Sequence, residues 1–428
     1  MTSIPSDHQL PTERDQITRA PRWIDRVARR TLHSCLARFD TGSLTIRDAD
    51  CEMIFGDRSS IGLSATICVS DPRFYTACLL DGTLGAGEAY MNGWWRCDQL
   101  TDLIRLFVLN RLAMRAIDSG WNRVLLPAHR VLHWLERNTR EGSRRNIRAH
   151  YDLGNEFFGL FLDPAMMYSS AVFDRPGMTL QEAQVAKIER ICRKIGLRSG
   201  QHILEIGTGW GGFAIHAATR YGCRVTTTTI SPEQAREARR RITSLGLTDR
   251  ITVLEQDYRD LHGRFDRLVS IEMIEAVGHQ YLDTYFRTCA SLLKPDGMMA
   301  IQAITIGDID YVRALRNIDF IQRHIFPGSF IPSLGAIHAS LGRAADLRVL
   351  HAEDFGPHYA ATLRHWRIAF MERLADVRAM GFDDTFCRMW EFYLAYCEGA
   401  FVERHIGVSQ LVLAKPLARP EPLLGALP

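Results

Sequence analysis

The chain has 428 residues, 46% of them hydrophobic, with 52 Lys and Arg against 49 Asp and Glu. That is apolar material for two cored domains, and a formal net charge of +3 argues against both a disordered chain and a nucleic-acid partner. No apolar run approaches the roughly 18 residues that span a bilayer, and the first residues carry no apolar signal segment, so a soluble cytoplasmic protein is expected.

Ten cysteines are scattered without a C-x-x-C pair, and His150, His279 and His324 stand alone. Neither a disulfide framework nor a metal site is expected from them.

Residues 1–16 are polar and proline-bearing, and disorder is expected there. Arg22 to Phe39 places Trp23, Ile24, Val27, Leu32, Leu36 and Phe39 near helical spacing among Arg22, Arg26, Arg29, Arg30 and Arg38. A helix with a solvated basic face is the plain expectation; arginines turned toward anionic lipid head groups are the functional one. Short strands are expected at 44–47, 52–55 and 65–69, and helices through 73–138. The paired Trp94 and Trp95 read as core or as an interdomain seam. An arginine-bearing linker at 139–149 separates a lipid-associated N-terminal domain (17–138, α+β) from a catalytic domain (150–420).

In the second domain, strands at 202–206, 224–230, 251–254, 267–271 and 298–305 alternate with helices at 212–220, 232–245 and 281–293. This is the pattern of an α/β, doubly wound, mostly parallel sheet. Residues 306–400 read as a helical insertion, placed as a substrate cover, before a last strand at 408–414. Ligands of such sheets bind at the carboxyl ends of the strands. The glycine turn after 206, Thr229-Ile230, Asp257-Tyr258, Ile271 to Glu275 and Gln302 to Ile304 all fall there.

The glycine turn is Gly207-Thr208-Gly209-Trp210-Gly211-Gly212, following the apolar strand His202 to Ile206. Gly207 and Gly209 allow a sharp turn and close approach of a ligand, and Gly212 allows tight packing of the next helix. The spacing alone suits either a nicotinamide dinucleotide or S-adenosylmethionine (SAM). The second strand, Arg224 to Ile230, ends without the carboxylate that would hold a dinucleotide ribose. Acids stand instead at Glu205, inside the first strand, and at Asp257, an order that looks like a class I SAM-dependent methyltransferase with a Rossmann-like sheet. Glu205 would hold the amino end of the methionine part and Asp257 the adenine amino group.

Taken jointly, several runs resemble the cyclopropane-fatty-acyl-phospholipid synthases and mycolic acid cyclopropane synthases. They are Gly87 to Trp95, His150 to Asn155, Met167-Tyr168-Ser169-Ser170-Ala171, Glu205 to Gly212, Thr229-Ile230-Ser231 with Gln234, Gln256 to Asp260, Ile274 to His279, and Ile325 to Gly328. The resemblance implies transfer of the SAM methyl to the double bond of an unsaturated acyl chain of a membrane phospholipid, then proton loss and ring closure. It implies a bound bicarbonate as the base, between Glu275 and Tyr359. It implies a SAM site lined by Tyr168, Ser169, Gly207, Gly209, Thr229, Gln234, Asp257 and Tyr258, with Glu205, Gly211 and Ile230 beside them. It further implies a homodimer associated peripherally with the inner face of the membrane.

Two positions depart from the family pattern. The usual Tyr-Ser-Cys-Ala run is Tyr168-Ser169-Ser170-Ala171, and Gln302 stands where a histidine is common. Ser170 and Gln302 could still contact the bicarbonate, but Gln302 cannot carry a proton as histidine does. The departures make methylation without ring closure, to a methyl-branched or methylene product, the near alternative. A small-molecule acceptor, a non-catalytic lipid-binding protein and a nicotinamide oxidoreductase stand further off.

Overall fold

The computed structural model describes residues 19–57, 62–113 and 153–423. The expected disordered start, the basic linker and His150 to Asp152 lie outside the described residues.

The chain divides into two compact units. The first comprises the described residues of Met1–Val131 with Asp319–His324 and Phe370–Glu403. Its opening helix, Trp23–Leu36, starts with a reciprocal cap in which the Asp25 carboxylate accepts from the Arg22 backbone N–H at 2.9 Å. Four strands follow, β1 (Gly42–Arg47), β2 (Glu52–Asp57), β3 (Ser64–Val69) and β4 (Trp95–Cys97), ordered β2-β1-β3-β4. The helices Arg73–Met91, Leu100–Leu109, Leu374–Ala379 and Asp384–Val402 also belong to this unit. Two stretches within 150–420, the expected catalytic domain, thus cluster with the first unit: 319–324 and 370–403. The two tryptophans part ways. Trp95 is 2% exposed, packs on Phe74 and Tyr90, and donates to the Ala86 carbonyl at 2.9 Å. Trp94 lies under the Arg73 guanidinium, 4.3 Å from the ring centroid.

The second unit holds the described residues of Leu132–Ile318, Ile325–Ala369 and Arg404–Pro428. Its strands are β5 (His202–Ile206), β6 (Arg224–Thr229), β7 (Ile251–Glu255), β8 (Phe265–Ile271), β9 (Leu293–Ile306), β10 (Arg348–Asp354) and β11 (Ile406–Ala414). They form one sheet ordered β10-β11-β9-β8-β5-β6-β7, parallel from β9 to β7, with β11 antiparallel to β9 and β10 antiparallel to β11. Successive side chains of a strand face opposite ways, so each buried strand feeds two cores. On one face Leu204, Ile206, Leu268 and Ile301 pack with Tyr285, Phe286 and Ile337 from the helices Leu282–Leu292 and Leu334–Ala344. On the other, Ile203, Val225, Val269 and Val412 meet Ile188, Phe213, Ala217 and Ile242 from the helices Leu180–Lys194, Gly212–Tyr221 and Pro232–Ser244. The fold is thus α/β and doubly wound. The strand order reverses between β5 and β8, and the crevice at their carboxyl ends is where such sheets take ligands.

Strand β10 lies within the stretch expected to be a helical insertion. Its burial alternates intermediate and exposed along Arg348–Asp354, the mark of an edge strand with one solvated face and no continuous apolar run.

Candidate active site

After β5 the chain turns through three glycines with positive φ: Gly207 (101°), Gly209 (50°) and Gly211 (86°). A side chain at Gly209 would meet nothing within 4 Å, so this part of the turn faces open space and its glycine serves the left-handed backbone. A Cβ at Gly212 would instead strike the Met167 sulfur and press on the Ala165 carbonyl, which explains the tight helix contact expected there.

The acid of β5, Glu205, is buried and accepts from the Thr227 hydroxyl at 2.6 Å. Burial pushes its carboxyl up to about 8, against the hydrogen bond from Thr227 and the charge of Lys187. At the end of β6, Thr229 donates to the Gln234 side-chain carbonyl at 2.9 Å and accepts from the Ser231 N–H at 3.1 Å. This tie holds Gln234 to the end of β6. Asp257 caps the short helical turn Tyr258–Asp260 and pairs with Arg259, its Oδ2 2.6 Å from Nη2. Tyr258 packs edge-on against Tyr285 at 5.6 Å. The proposed SAM residues of β5, β6 and β7 therefore gather at the carboxyl edge of the sheet, where glycine backbone and acidic side chains suit a sulfonium amino acid and its nucleoside.

The segment before the helix Leu180–Lys194 supplies the other wall. The Tyr168 ring lies 5.3 Å from Phe158, 6.1 Å from Phe326 and 5.2 Å from Trp366, and Trp366 is 6.2 Å from Tyr359. Buried Lys187 donates to the Ser169 hydroxyl at 2.7 Å. Burial lowers this ammonium to about 8, opposed by the carboxylates of Glu272, Asp163 and Glu205.

The polar centre of the site differs from the expected one. Ser170, Gln302 and Tyr359 do converge, but on the carboxylate of Glu272. Its Oε1 accepts from the Ser170 N–H at 2.9 Å and from Gln302 Nε2 at 2.7 Å, and its Oε2 accepts from the Tyr359 hydroxyl at 2.7 Å. The Ser170 hydroxyl turns away, donating to the Ala171 carbonyl at 3.0 Å. These are the donors expected to hold bicarbonate, and a carboxylate of the chain already has them; the residues present do not fit a bound bicarbonate, and that expectation is corrected.

Glu275 stands one short turn further on. One of its carboxyl oxygens accepts from the Ile304 N–H, and the other is buried without a hydrogen-bond partner. Burial, and next the charge of Glu272, pushes Glu275 up to about 8. Burial also raises Glu272, but the donors Gln302, Ser170 and Tyr359 and the nearby Lys187 favour its ionised form. Three donors and Lys187 thus oppose the rise at Glu272, whereas Glu275 has the Ile304 N–H beside one unpartnered oxygen.

Glu272 and Lys187 are the buried charged groups of this centre that reading the sequence missed. A carboxylate one residue past the apolar strand Phe265–Ile271, at the ligand edge of the sheet, is the signal that could have found the first.

Among the described residues no cluster of His, Cys, Asp and Glu could hold a metal ion, and no helix is long and apolar enough to cross a membrane.

Comparison with known proteins agrees with this fold. A family model described as Mycolic acid cyclopropane synthetase matches residues 138–411. The chain is 40% identical over 343 residues to the tuberculostearic acid methyltransferase UfaA1 of Mycobacterium tuberculosis, covering 78% of this chain and 79% of that one. It is 37% identical over 352 residues to the cyclopropane-fatty-acyl-phospholipid synthase of Escherichia coli K12, covering 82% and 88%. Among solved structures, mycolic acid cyclopropane synthase CmaA1 complexed with SAH and CTAB matches with a TM-score of 0.60 and 32% identity, over 64% of this chain and 98% of that one. With a glycine turn, acids at the strand ends and relatives that agree along most of the chain, this protein belongs to the mycolic acid cyclopropane synthetase family and is a SAM-dependent methyltransferase.

Proposed function

We propose that the protein transfers the SAM methyl to the double bond of an unsaturated acyl chain of a membrane phospholipid, and that proton loss then closes a cyclopropane ring. The observation that carries this reading is a carboxylate held among aromatic rings at the ligand edge of the SAM sheet. Glu272 sits on Tyr359, whose ring neighbours Trp366 and through it Tyr168. An alkene is a weak nucleophile, so the chemistry needs a dry slot that aligns it with the sulfonium, aromatic faces that tolerate positive charge, and one base for the departing proton. The named activities of the Escherichia coli and Mycobacterium tuberculosis relatives, on phospholipid acyl chains and in tuberculostearic acid formation, support the acceptor class.

The helix Trp23–Leu36 offers a means of reaching a membrane. Trp23 is 76% and Val27 49% exposed, and the exposed Arg26 and Arg30 share that helical face. An apolar ridge flanked by arginines suits an anionic lipid surface. Peripheral membrane association belongs to this proposal, as does a homodimer presenting two sites to one membrane.

A second reading, an exocyclic methylene or methyl branch, is favoured by Glu272 itself: a base fixed to the backbone can select a different proton from a diffusible anion. The 40% identity to the tuberculostearic acid enzyme points the same way.

The test is incubation of the full-length protein with SAM and vesicles of monounsaturated phospholipid, followed by mass spectrometry and proton NMR of the released chains. Ring closure gives one added methylene with upfield cyclopropane protons. The same mass with vinylic protons establishes the second reading, and no added carbon with SAM bound would contradict both.

A further inference from the structure

Glu272 is held with more care than a structural acid requires. Its backbone is left-handed, φ 49°, a conformation that non-glycine residues seldom adopt. Such outliers persist where the surroundings over-determine them. Here the Glu272 N–H donates to the Gln302 carbonyl at 2.7 Å while the side chain takes three donors. The turn throws the carboxylate off the end of β8 and back into the site.

The orientation of one of those donors is fixed through the neighbouring strand β11, on the same face of the sheet. Lys194 Nζ lies 2.6 Å from Glu353 Oε2 and 2.7 Å from Gln410 Oε1. An ammonium only donates, so Gln410 must turn its carbonyl to Lys194 and its NH2 the other way. That NH2 donates to Gln302 Oε1 at 3.0 Å across the β11/β9 register, where Gln410 faces Gln302. Gln302 is left presenting its own NH2, one hydrogen to Glu272 and the other to the Ser170 carbonyl at 3.2 Å. The chain Glu353, Lys194, Gln410, Gln302 thus has one permitted polarity, and it ends in a donor aimed at Glu272.

We propose that Glu272 is the proton-accepting base of this enzyme, fixed in the place that the family resemblance gives to bicarbonate, with Gln302, Gln410 and Lys194 as positioning residues. The proposal rests on the reading of the acceptor as an acyl alkene. The alkene π pair forms a bond to the methyl carbon as the C–S bond breaks, its electrons remaining on sulfur as S-adenosylhomocysteine. The acyl chain then carries a cation beside the methylated carbon. A carboxylate oxygen of Glu272 takes a proton from the added methyl. The released C–H pair closes the ring, or, after a hydride has moved to the cationic carbon, forms an exocyclic double bond. Glu272 returns its proton to solvent between turnovers.

The experiment compares wild type, Glu272→Gln and Glu272→Gly as full chains. Binding of 13C-bicarbonate is followed by NMR line broadening, SAM binding by calorimetry, and turnover on monounsaturated phospholipid vesicles in CO2-purged buffer with and without added bicarbonate. Glycine suits the left-handed backbone and leaves the three donors open, so Glu272→Gly should fold. Wild type should bind no bicarbonate and turn over equally in purged buffer. Glu272→Gln should keep its SAM affinity and lose about 10²–10⁴-fold in turnover. Glu272→Gly should bind bicarbonate and depend on it for turnover. A wild type that binds bicarbonate and stalls without it, or a Glu272→Gln variant within about threefold of wild type in turnover, would overturn the proposal. If no lipid is modified at all, the alkene reading fails while the NMR arm still decides the site: bicarbonate held by Glu272→Gly alone supports the replacement, and bicarbonate held by both refutes it.

Discussion

The Tyr359 hydroxyl donates to Glu272 Oε2 at 2.7 Å, joining the helix Gly356–Glu372 to the turn after β8. Two residues far apart in sequence thereby make one acid–base unit. Removing the hydroxyl takes away a donor that favours the carboxylate. Tyr359→Phe should lower turnover about 10- to 100-fold, and the acid limb of the pH–rate profile should move to higher pH. The titratable groups facing Glu272 in that profile are Lys187, Tyr359 and Glu275. A pH–rate series on both proteins checks this; an unmoved acid limb would separate Tyr359 from the base.

The relay behind Gln302 makes a prediction at a distance. Lys194→Met removes the group that fixes the polarity of Gln410, and Gln302 can then rotate its carbonyl toward Glu272. An acceptor facing a carboxylate disfavours its ionised form. The acid limb should move up as in Tyr359→Phe, with KM for SAM little changed, and Gln410→Glu should not restore it. A pure stability role for Lys194 would lower the melting temperature and leave the pH profile in place.

Glu275 carries a stability signature. Its ordinary value is 4.5 and the fold raises it to about 8. The native state keeps a proton that the unfolded chain releases, so this group's contribution is whole below pH 4.5 and is lost as pH rises toward about 8. The loss is about 1.4 kcal/mol per pH unit at most, and a few kcal/mol in all. Glu275→Gln, neutral at every pH, should be the less pH-sensitive protein across that window in urea unfolding. Equal slopes for the two proteins would show that Glu275 is ionised when folded.

Gly209 tests the SAM turn. Its φ of 50° is costly for a β-branched residue, although no atom would block the added Cβ. Gly209→Val should cost about 1–2 kcal/mol of stability and lower SAM affinity by more than about tenfold, because the branched side chain fills the space that the ligand needs. Calorimetry with SAM on a folded variant reads this directly. Unchanged affinity would move the ligand away from this turn.

Much of the fold and part of the site are legible in the amino-acid sequence. The alternation of Ile203 with Leu204 and Ile206 feeds two cores, and the run Gly207 to Gly212 can only be a tight turn into a helix. Residues that act through backbone position are also legible, because their spacing along the sheet edge is local. Glu272 is not: Ser270-Ile271-Glu272 reads as a strand running out into a polar residue, and only the left-handed turn at 272 brings the carboxylate inward. Ser170 is half legible. The expectation is contact with bicarbonate; its backbone N–H instead reaches Glu272, while its hydroxyl is spent on Ala171. Gln302 needs the β11 register, which pairs it with Gln410 across an antiparallel ladder invisible in local periodicity. The edge strand β10 and the membership of 370–403 in the first unit are likewise long-range facts.

The most direct measurement uses SAM bearing a trideuterated methyl, monounsaturated phospholipid vesicles and CO2-purged buffer, with the released acyl chains read by mass spectrometry. The account predicts chains that retain two of the three deuteriums, formed at a rate that added bicarbonate does not change. Chains that keep all three, or that form only once bicarbonate is restored, would contradict a fixed carboxylate at Glu272 taking its proton from the transferred methyl.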